Sequence, residues 1–225
     1  MKIGQMNTNE LIIHAPCDPG HPPLSSVSSD WFGERMDPPA RFSFSFENDM
    51  LAFRALRESE ARGHPEAVSG HYMEGLWLYD VAEFFVSDPV TGRYLEVNLS
   101  PNGAHWACLF DAPRRRLVEI NDSGAVSWGR CRQEGWEARV DVPLEWMTEH
   151  LHFRAETKLN VTFILDSPSQ RFLSVADLGD GAPDFHRPDQ FLSWRQERVS
   201  KTDEIPNQSH APEERSAGQS KTGFE

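Results

Sequence analysis

The feature that most constrains the fold of this chain is an alternation of apolar and polar residues with a period of two. Phe42, Phe44 and Phe46 alternate with serines, which places three aromatic rings on one face of an extended strand. Asn48 and Asp49 follow directly, and these residue types favour a tight turn into a second strand. This part of the chain therefore predicts a β-hairpin.

The same alternation and turn chemistry recur along the chain. Pro101-Asn102-Gly103 predicts another hairpin, because Asn-Gly tolerates the positive φ angles of tight turns. One short helix is predicted after Val142, with Pro143 in its first turn. Further strands are predicted at 50–56, 76–86, 93–99, 104–110, 117–121, 136–142, 158–165, 171–176 and 191–199. The pattern predicts an all-β, jelly-roll-like antiparallel β-sandwich of about eight to eleven strands with one short helix.

Composition divides the chain into three parts. The stretch from Pro16 to Ala40 is dense in Pro, Gly, Ser and Asp, so residues 1–39 are predicted to form an irregular N-terminal segment. Residues 40–199 carry the alternation and predict one β-sandwich domain. Residues 200–225 are polar, with one aromatic residue, and predict a disordered tail because they bury too little apolar surface to offset the entropy of ordering.

Charge and cysteine content exclude several classes of partner and compartment. A net charge of −13 argues against nucleic acid or an anionic membrane as partner, because like charges repel. No run of 18 apolar residues occurs, and the N-terminus carries no recognisable secretory signal. Three widely spaced cysteines fit neither a disulfide scaffold nor a zinc site. A cytoplasmic location is therefore expected.

Four stretches, in this order, resemble the family 9 carbohydrate-binding modules and the related DOMON-like domains: Asp80–Val86, Tyr94–Phe110, Leu159–Leu165 and Asp184–Phe191. The shared pattern is an Asp-x-x-Glu strand, a Tyr-x-Glu strand, a Pro-x-Gly turn and an aromatic strand. It is met by Asp80 and Glu83, Tyr94 and Glu96, Pro101 and Gly103, and Trp106. The resemblance covers roughly residues 40–199 and implies a β-sandwich that binds a mono- or oligosaccharide without catalysis.

The residues themselves indicate a candidate sugar site on the Tyr94 strand. Tyr94, Glu96 and Asn98 share one face by period two, and Glu83 is expected on the neighbouring strand. Such polar groups bind sugar hydroxyls when an aromatic wall packs on the sugar ring. The candidate walls are Trp77 and Trp106. A solvated outer face and aromatic side chains buried in the core are the alternatives.

Arg171 lies at a position where the resembling domains have arginine beside an aromatic residue, here Phe172. The resemblance implies either a contact with a sugar hydroxyl or a structural pair with Glu83 or Glu96. The Asp184–Asp189 stretch, which contains His186, predicts a closing loop, and the Gly63–Gly70 loop is a second candidate cover.

The alternatives are a cofactor, catalysis or a protein partner. No cofactor and no metal site are predicted, since the histidines are scattered; the resemblance allows a calcium ion and, in some relatives, haem with Met50 or Met73 as ligand. Glu83 and Glu96 are also the pair that a glycoside hydrolase would use. A protein-interaction β-sandwich is the remaining alternative, with the partner unknown.

Overall fold

The computed structural model describes residues 10–15, 22–121 and 123–198 of the 225-residue chain. In that part of the chain, strands form two sheets with one short helix, so the predicted all-β sandwich is confirmed. The strands are β1 Glu10–His14, β2 Ser25–Ser29, β3 Arg35–Glu47, β4 Met50–Arg57, β5 Val81–Ser87, β6 Tyr94–Leu99, β7 His105–Ala112, β8 Arg115–Glu119, β9 Val126–Arg132, β10 Gly135–Pro143, β11 Lys158–Leu165, β12 Arg171–Ser174 and β13 Ser193–Glu197. The helix, α1, is Leu144–Leu151.

One sheet has the strand order β13-β1-β3-β4-β10-β9, with β2 also paired to β3, and the other has the order β12-β11-β5-β6-β7-β8. Neighbouring strands are antiparallel except at β1, which runs parallel to both β13 and β3. Among the described residues, no helix is long and apolar enough to cross a membrane. The six-stranded sheet is the one that carries the candidate site, because β5 and β6 lie at its centre.

The hairpin of β3 and β4 forms as the sequence predicts. Asn48 and Asp49 have φ angles of 50° and 60°, and Glu47 lies opposite Met50 across a two-residue turn. Both turn residues are types that tolerate a positive φ. The aromatic face of β3 packs into the space between the two sheets.

The turn between β6 and β7 also forms where predicted, and it does more than reverse the chain. The Ser100 amide donates to the Ala104 carbonyl at 2.8 Å, and Gly103 has a φ of +90°. A Cβ atom on Gly103 would lie 2.2 Å from the backbone nitrogen of Gly129 in β9. The absence of a side chain at Gly103 therefore allows this turn to pack directly against the other sheet.

The expectation of an irregular segment over residues 1–39 is wrong in part. β1, β2 and the start of β3 lie in it, and β1 fills the gap between β3 and β13. Both partners of β1 come from elsewhere in the chain, so a five-residue strand there depends on tertiary pairing more than on its own sequence. The predicted disorder of 200–225 lies outside the described residues.

The predicted strand at 76–86 is also wrong over its first half. Leu76–Leu78 forms a 3-10 turn and the strand begins at Val81. Between them, the Asp80 carboxylate accepts hydrogen bonds from the backbone amides of Arg62 at 3.0 Å and Ser167 at 2.9 Å. These bonds hold the chain in a bend, so Trp77 projects from a turn instead of from the sheet.

Two hydrophobic clusters stabilise the sandwich. The larger lies between the sheets and receives one face of every central strand. The smaller lies on the outer face of the six-stranded sheet, where the segment 176–191 and residues around Trp31 cover it. Because both faces of β5 and β6 are covered, every residue of those two strands is buried. The outer face of this sheet is thus an enclosed surface, and it contains the cavity described next.

Candidate functional site

A cavity of about 310 Å³ lies between the outer face of the six-stranded sheet and the segment that covers it. Its floor comes from the sheet, its cover from the loop after β12, and its rim from the 3-10 turn and the β7–β8 connection. The floor residues are Glu83, Phe85, Glu96, Trp106, Phe110, Ile164 and Phe172; the cover residues are Pro183, Phe185 and His186; the rim residues are Trp77, Arg114 and Arg116. Aromatic rings and charged groups therefore share one half-open cavity.

Strand register brings the floor residues together. Glu83 in β5 lies opposite Asn98 in β6, as the sequence predicted for the pairing of these strands, and Asn98 lies opposite Trp106 in β7. Glu96 lies opposite Phe85 on one side and Cys108 on the other. Directly opposed residues of antiparallel strands point to the same face. Polar and aromatic side chains thus alternate across the floor.

Two tryptophans form the apolar wall of the cavity. The ring centroids of Trp77 and Trp106 are 5.0 Å apart with the planes at 64°, an edge-to-face arrangement. The Arg116 guanidinium lies 5.0 Å from the Trp106 ring and 5.5 Å from the Trp77 ring. Ion pairs to Glu74 at 2.5 Å and to Glu119 at 2.8 Å hold the guanidinium there. This arginine therefore fixes the mutual orientation of the two indoles.

The two glutamates of the floor are buried, with 2% of Glu83 and 6% of Glu96 exposed. The Thr162 hydroxyl donates to Glu83 Oε2 at 2.6 Å, and Asn98 Nδ2 donates to Glu96 Oε1 at 3.1 Å. Glu96 Oε2 has no hydrogen-bond partner, and neither does Nε1 of Trp106. An acceptor and a donor that line the same cavity are thus both unsatisfied, which is costly unless a ligand or water binds them.

Burial also changes the protonation of the pair. Burial raises the pKa of Glu83, and the negative charge of Glu96 raises it further. Burial raises the pKa of Glu96 as well, against the opposing effects of Asn98, Arg116 and Arg114. The two carboxyls therefore keep a proton well above the usual pH range of a carboxylic acid. As a result they can donate as well as accept hydrogen bonds.

His186 connects the covering loop to the floor. The Tyr94 hydroxyl accepts from the Arg114 backbone amide at 3.0 Å and lies 2.7 Å from His186 Nδ1. Burial and, to a smaller extent, the positive charge of Arg114 lower the pKa of His186 to about 4, so the imidazole is neutral. The Tyr94 hydroxyl then donates its proton to Nδ1 of His186, so the imidazole proton is assigned to Nε2. Nε2 lies 3.9 Å from Glu96 Oε2.

Several contacts hold the covering loop over the cavity. Arg114 forms an ion pair with Asp184 at 2.8 Å, and Trp31 Nε1 donates to the Gly181 carbonyl at 2.8 Å. Phe185 packs against Trp31 with the ring centroids 6.1 Å apart. The expected closing role of the Asp184–Asp189 stretch agrees with this geometry, whereas the Gly63–Gly70 loop contributes no residue to the cavity lining.

The structure separates the sequence-predicted site residues into two groups. Four of them line the cavity: Trp77, Glu83, Glu96 and Trp106. Tyr94 and Asn98 lie behind the lining, where Tyr94 stacks on Phe110 at 4.8 Å and holds His186, and Asn98 holds Glu96. Tyr94 and Asn98 are fully buried, and Glu96 is 6% exposed, so the alternative of a solvated outer face, which concerned Glu96 and Asn98, is wrong.

Arg171 lies apart from the cavity. Its Nε and Nη2 atoms donate to Asp30 Oδ2 at 2.9 and 2.8 Å, and the guanidinium also donates to the carbonyls of Glu34 and Arg35. The predicted pairing with Glu83 or Glu96 is therefore wrong. The reason is that Asp30 comes from the N-terminal segment, which packs beside β12 and presents the nearer carboxylate.

Sequence reasoning missed three polar residues of the cavity as ligand-binding candidates: Arg114, Arg116 and His186. Arg114 lies in the β7–β8 turn with a φ of 60° and Arg116 lies in β8, so no regular spacing in the sequence marked them as a pair. His186 stood inside a stretch that carried the family resemblance, but the pattern marked it only as part of a closing loop.

The described residues contain no cluster suited to a resident metal ion. Within residues 10–15, 22–121 and 123–198, no group of three or more His, Cys, Asp or Glu side chains is arranged to hold one. The calcium ion that the family resemblance allows has no such ligand cluster there.

Comparison with known proteins shows relatives that carry no assigned activity. No family model matches the chain. It is 29% identical to the human UPF0462 protein C4orf33 over 138 residues, which are 58% of this chain and 65% of the human protein. It is 31% identical to the mouse homologue over 136 residues, which are 56% of this chain and 66% of that protein. The aligned region thus spans just under two thirds of these relatives.

Solved structures show the fold. A proposed carbohydrate-binding protein from Bacteroides uniformis matches with a TM-score of 0.63 and 17% identity, over 84% of this chain and 99% of that one. A family 9 carbohydrate-binding module from Caldicellulosiruptor kristjanssonii matches in complex with cellotriose (TM-score 0.51, 11% identity, 89% of this chain and 100% of that one). It also matches in complex with glucose (TM-score 0.53, 11% identity, 87% and 100%). At such identities the likeness establishes the fold and leaves the ligand open.

Proposed function

We propose that this chain, which has the fold of the family 9 carbohydrate-binding modules, binds a carbohydrate in the cavity and does not cleave it. One observation carries the proposal: a single half-open cavity is lined by two tryptophans and by Glu96, and both Glu96 Oε2, an acceptor, and Trp106 Nε1, a donor, lack hydrogen-bond partners. A sugar offers the matching surfaces, since its C–H face packs on aromatic rings and each hydroxyl both donates and accepts.

The size of the cavity limits the ligand. A volume of about 310 Å³ lies at the small end of the range of roughly 300–1,000 Å³ typical of small-molecule sites. One or two sugar rings fit this space, with any longer chain extending past the rim. The structural neighbours from Caldicellulosiruptor kristjanssonii hold glucose and cellotriose, which supports the same class of ligand.

The placement of the glutamates supports binding over hydrolysis. A glycoside hydrolase places its acid and its base or nucleophile on the two sides of the scissile bond. Glu83 and Glu96 stand diagonally on adjacent strands of one sheet, so both approach a ligand from the floor. If the purified protein releases nitrophenol from aryl glycosides, and the Glu83→Gln variant does not, hydrolysis replaces binding as the function.

Isothermal titration calorimetry with glucose, cellotriose and a panel of other mono- and disaccharides tests the proposal. We expect dissociation constants in the micromolar to millimolar range, because a small site recovers little energy beyond the cost of ordering its ligand. Trp77→Ala should weaken binding by about 1–3 kcal/mol through loss of one aromatic wall. Trp77 is half-buried at the rim, so the fold should survive the change.

The matched control is Trp128→Ala, which removes a tryptophan from the outside of β9, away from the cavity. Its sugar affinity should equal that of the wild type. The absence of heat with every sugar, together with co-purification of a defined protein partner, would favour the interaction-module alternative instead.

A further inference from the structure

Among the described residues, no arginine or lysine side chain forms an ion pair with the two carboxyls on the cavity floor. The hydrogen-bond donors to Glu83 and Glu96 are neutral, namely the Thr162 hydroxyl and the Asn98 amide. The basic side chain nearest to them, His186, is 3.9 Å from Glu96 and is neutral because burial lowers its pKa. A buried carboxyl pair without an ion-pair partner avoids charge by keeping a proton, so a bound cation can take the place of that proton.

The arginines at the rim lower the pKa of Glu96 by their charge but form no ion pair with it, because each already has another acidic partner. Arg114 forms its ion pair with Asp184, and Arg116 with Glu74 and Glu119. Their side chains are 62% and 40% exposed, so solvent screens their charge. The arginines are therefore paired at the rim, whereas Glu96 Oε2 at the floor has no hydrogen-bond partner.

The walls of the cavity also favour a positively charged group. Six aromatic side chains line it: Trp77, Phe85, Trp106, Phe110, Phe172 and Phe185. Aromatic faces attract cations, and ammonium groups are recognised in proteins by boxes of such rings. The Arg116 guanidinium already makes this contact with both indoles from the rim side.

We propose that the sugar bound in this cavity is an amino sugar, whose ammonium group pairs with Glu96 Oε2 and the neighbouring Glu83 while one of its hydroxyls accepts the Trp106 indole N–H. This inference rests on the proposed carbohydrate-binding function and narrows its ligand class. It satisfies the unpaired acceptor and the unpaired donor with one molecule, and it places a cation beside the carboxyl pair.

Binding of an amine has a consequence that binding of a neutral sugar lacks. Burial keeps a proton on the empty carboxyl pair, as described above. An ammonium group at the floor stabilises both carboxylates, so the carboxyl O–H bond breaks, its proton passes to the solvent buffer as the ligand enters, and no other covalent bond changes. Among the other titratable groups around the pair, His186 is already neutral, burial raises the pKa of Cys108 and of Tyr94 so that both keep their protons, and the Glu74 contact raises the pKa of Arg116.

The experiment is isothermal titration calorimetry of the full chain with D-glucosamine, D-glucose, N-acetyl-D-glucosamine and methylamine near neutral pH. We expect glucosamine to bind about tenfold or more tightly than glucose, the scale of a hydrogen bond to a charged group. N-acetylglucosamine, which keeps the nitrogen but loses the charge, should lose that advantage. Titrations in two buffers of different ionisation enthalpy should show proton release with glucosamine and none with glucose.

Glu96→Gln provides the variant test, because it keeps the side-chain shape but places an amide donor where the cavity has an acceptor. It should abolish the preference for glucosamine, with Glu83→Gln as a second variant if the first does not fold. Glu58→Gln, at an exposed glutamate outside the cavity, is the matched control and should keep the preference.

The outcomes distinguish a failure of the amino-sugar assignment from a failure of carbohydrate binding itself. Equal affinity for glucose and glucosamine, or tighter binding of N-acetylglucosamine, overturns the amino-sugar assignment and leaves carbohydrate binding intact. Methylamine that binds as tightly as glucosamine also overturns it, because the cavity would then recognise a bare ammonium group. Failure of every sugar to bind overturns the proposed function itself.

Discussion

Tyr94→Phe tests whether this residue acts behind the site and not as a ligand contact. The Tyr94 hydroxyl accepts from the Arg114 amide at 3.0 Å and bonds His186 Nδ1 at 2.7 Å, and the residue is fully buried. Removing the oxygen ends both hydrogen bonds, while the stacking on Phe110 at 4.8 Å remains. At about 0.5–1.5 kcal/mol for each bond, the free energy of unfolding should fall by roughly 1–3 kcal/mol.

Urea denaturation followed by tryptophan fluorescence measures this loss, and a matching fall in Tm of roughly 2–12 °C should appear in a thermal melt. Sugar affinity should also fall, since His186 and the loop around it lose their anchor to β6. Tyr79→Phe removes the same atom from a tyrosine outside the cavity lining and serves as control, with no change expected in either property. If Tyr94→Phe is as stable as the wild type and binds sugar equally well, the assignment of Tyr94 as the residue that positions His186 is refuted.

Three further changes test the electrostatics and the backbone. Burial raises the pKa of Glu83, so the folded state binds a proton more tightly than the unfolded state does. The free energy of unfolding of the wild type should therefore fall between about pH 5 and about pH 8. In urea titrations at these two pH values, Glu83→Gln should show a smaller fall. Gly103→Ala places a Cβ atom 2.2 Å from the backbone of β9 and should lower the free energy of unfolding by about 3 kcal/mol or prevent folding. The control is Gly92→Ala, because Gly92 has a φ of +73° but open space around it, and the loss in the same assay should be only about 1–2 kcal/mol. Arg171→Met removes the ion pair with Asp30, whose side chain is 6% exposed, and should lower the free energy of unfolding by about 2–3 kcal/mol. The dissociation constant for sugar should not change. A weakened affinity would instead show that Arg171 belongs to the site.

The sandwich itself could be predicted because its central strands carry their own pattern. The alternation in β3 and the turn types at Asn48 and Asp49 depend on neighbours only a few residues away, and the structure confirms the hairpin they predict. β1 shows the limit of such reasoning. It is five residues long, and both of its partners, β3 and β13, come from elsewhere in the chain.

The candidate site shows a similar division. Period two placed Glu96 and Asn98 on one face, and strand pairing brought Glu83 onto that face. The same pattern did not reveal that Asn98 would lie behind Glu96, or that His186 would reach the floor from a loop. Side-chain direction follows from local geometry, whereas the contacts of a loop depend on packing.

The sequence by itself determined which residues share a strand face and where the chain turns, because alternation and turn preference act between residues close along the chain. Only the tertiary structure decided that the face of Glu83 and Glu96 is enclosed, since the segment that covers it follows β12 and is held there by Trp31 and Arg114. Only the tertiary structure likewise gave Arg171 its partner, 141 residues away in Asp30. Burial, and with it the raised pKa of a carboxyl, depends on which distant segments exclude water from a side chain, and no local pattern records that.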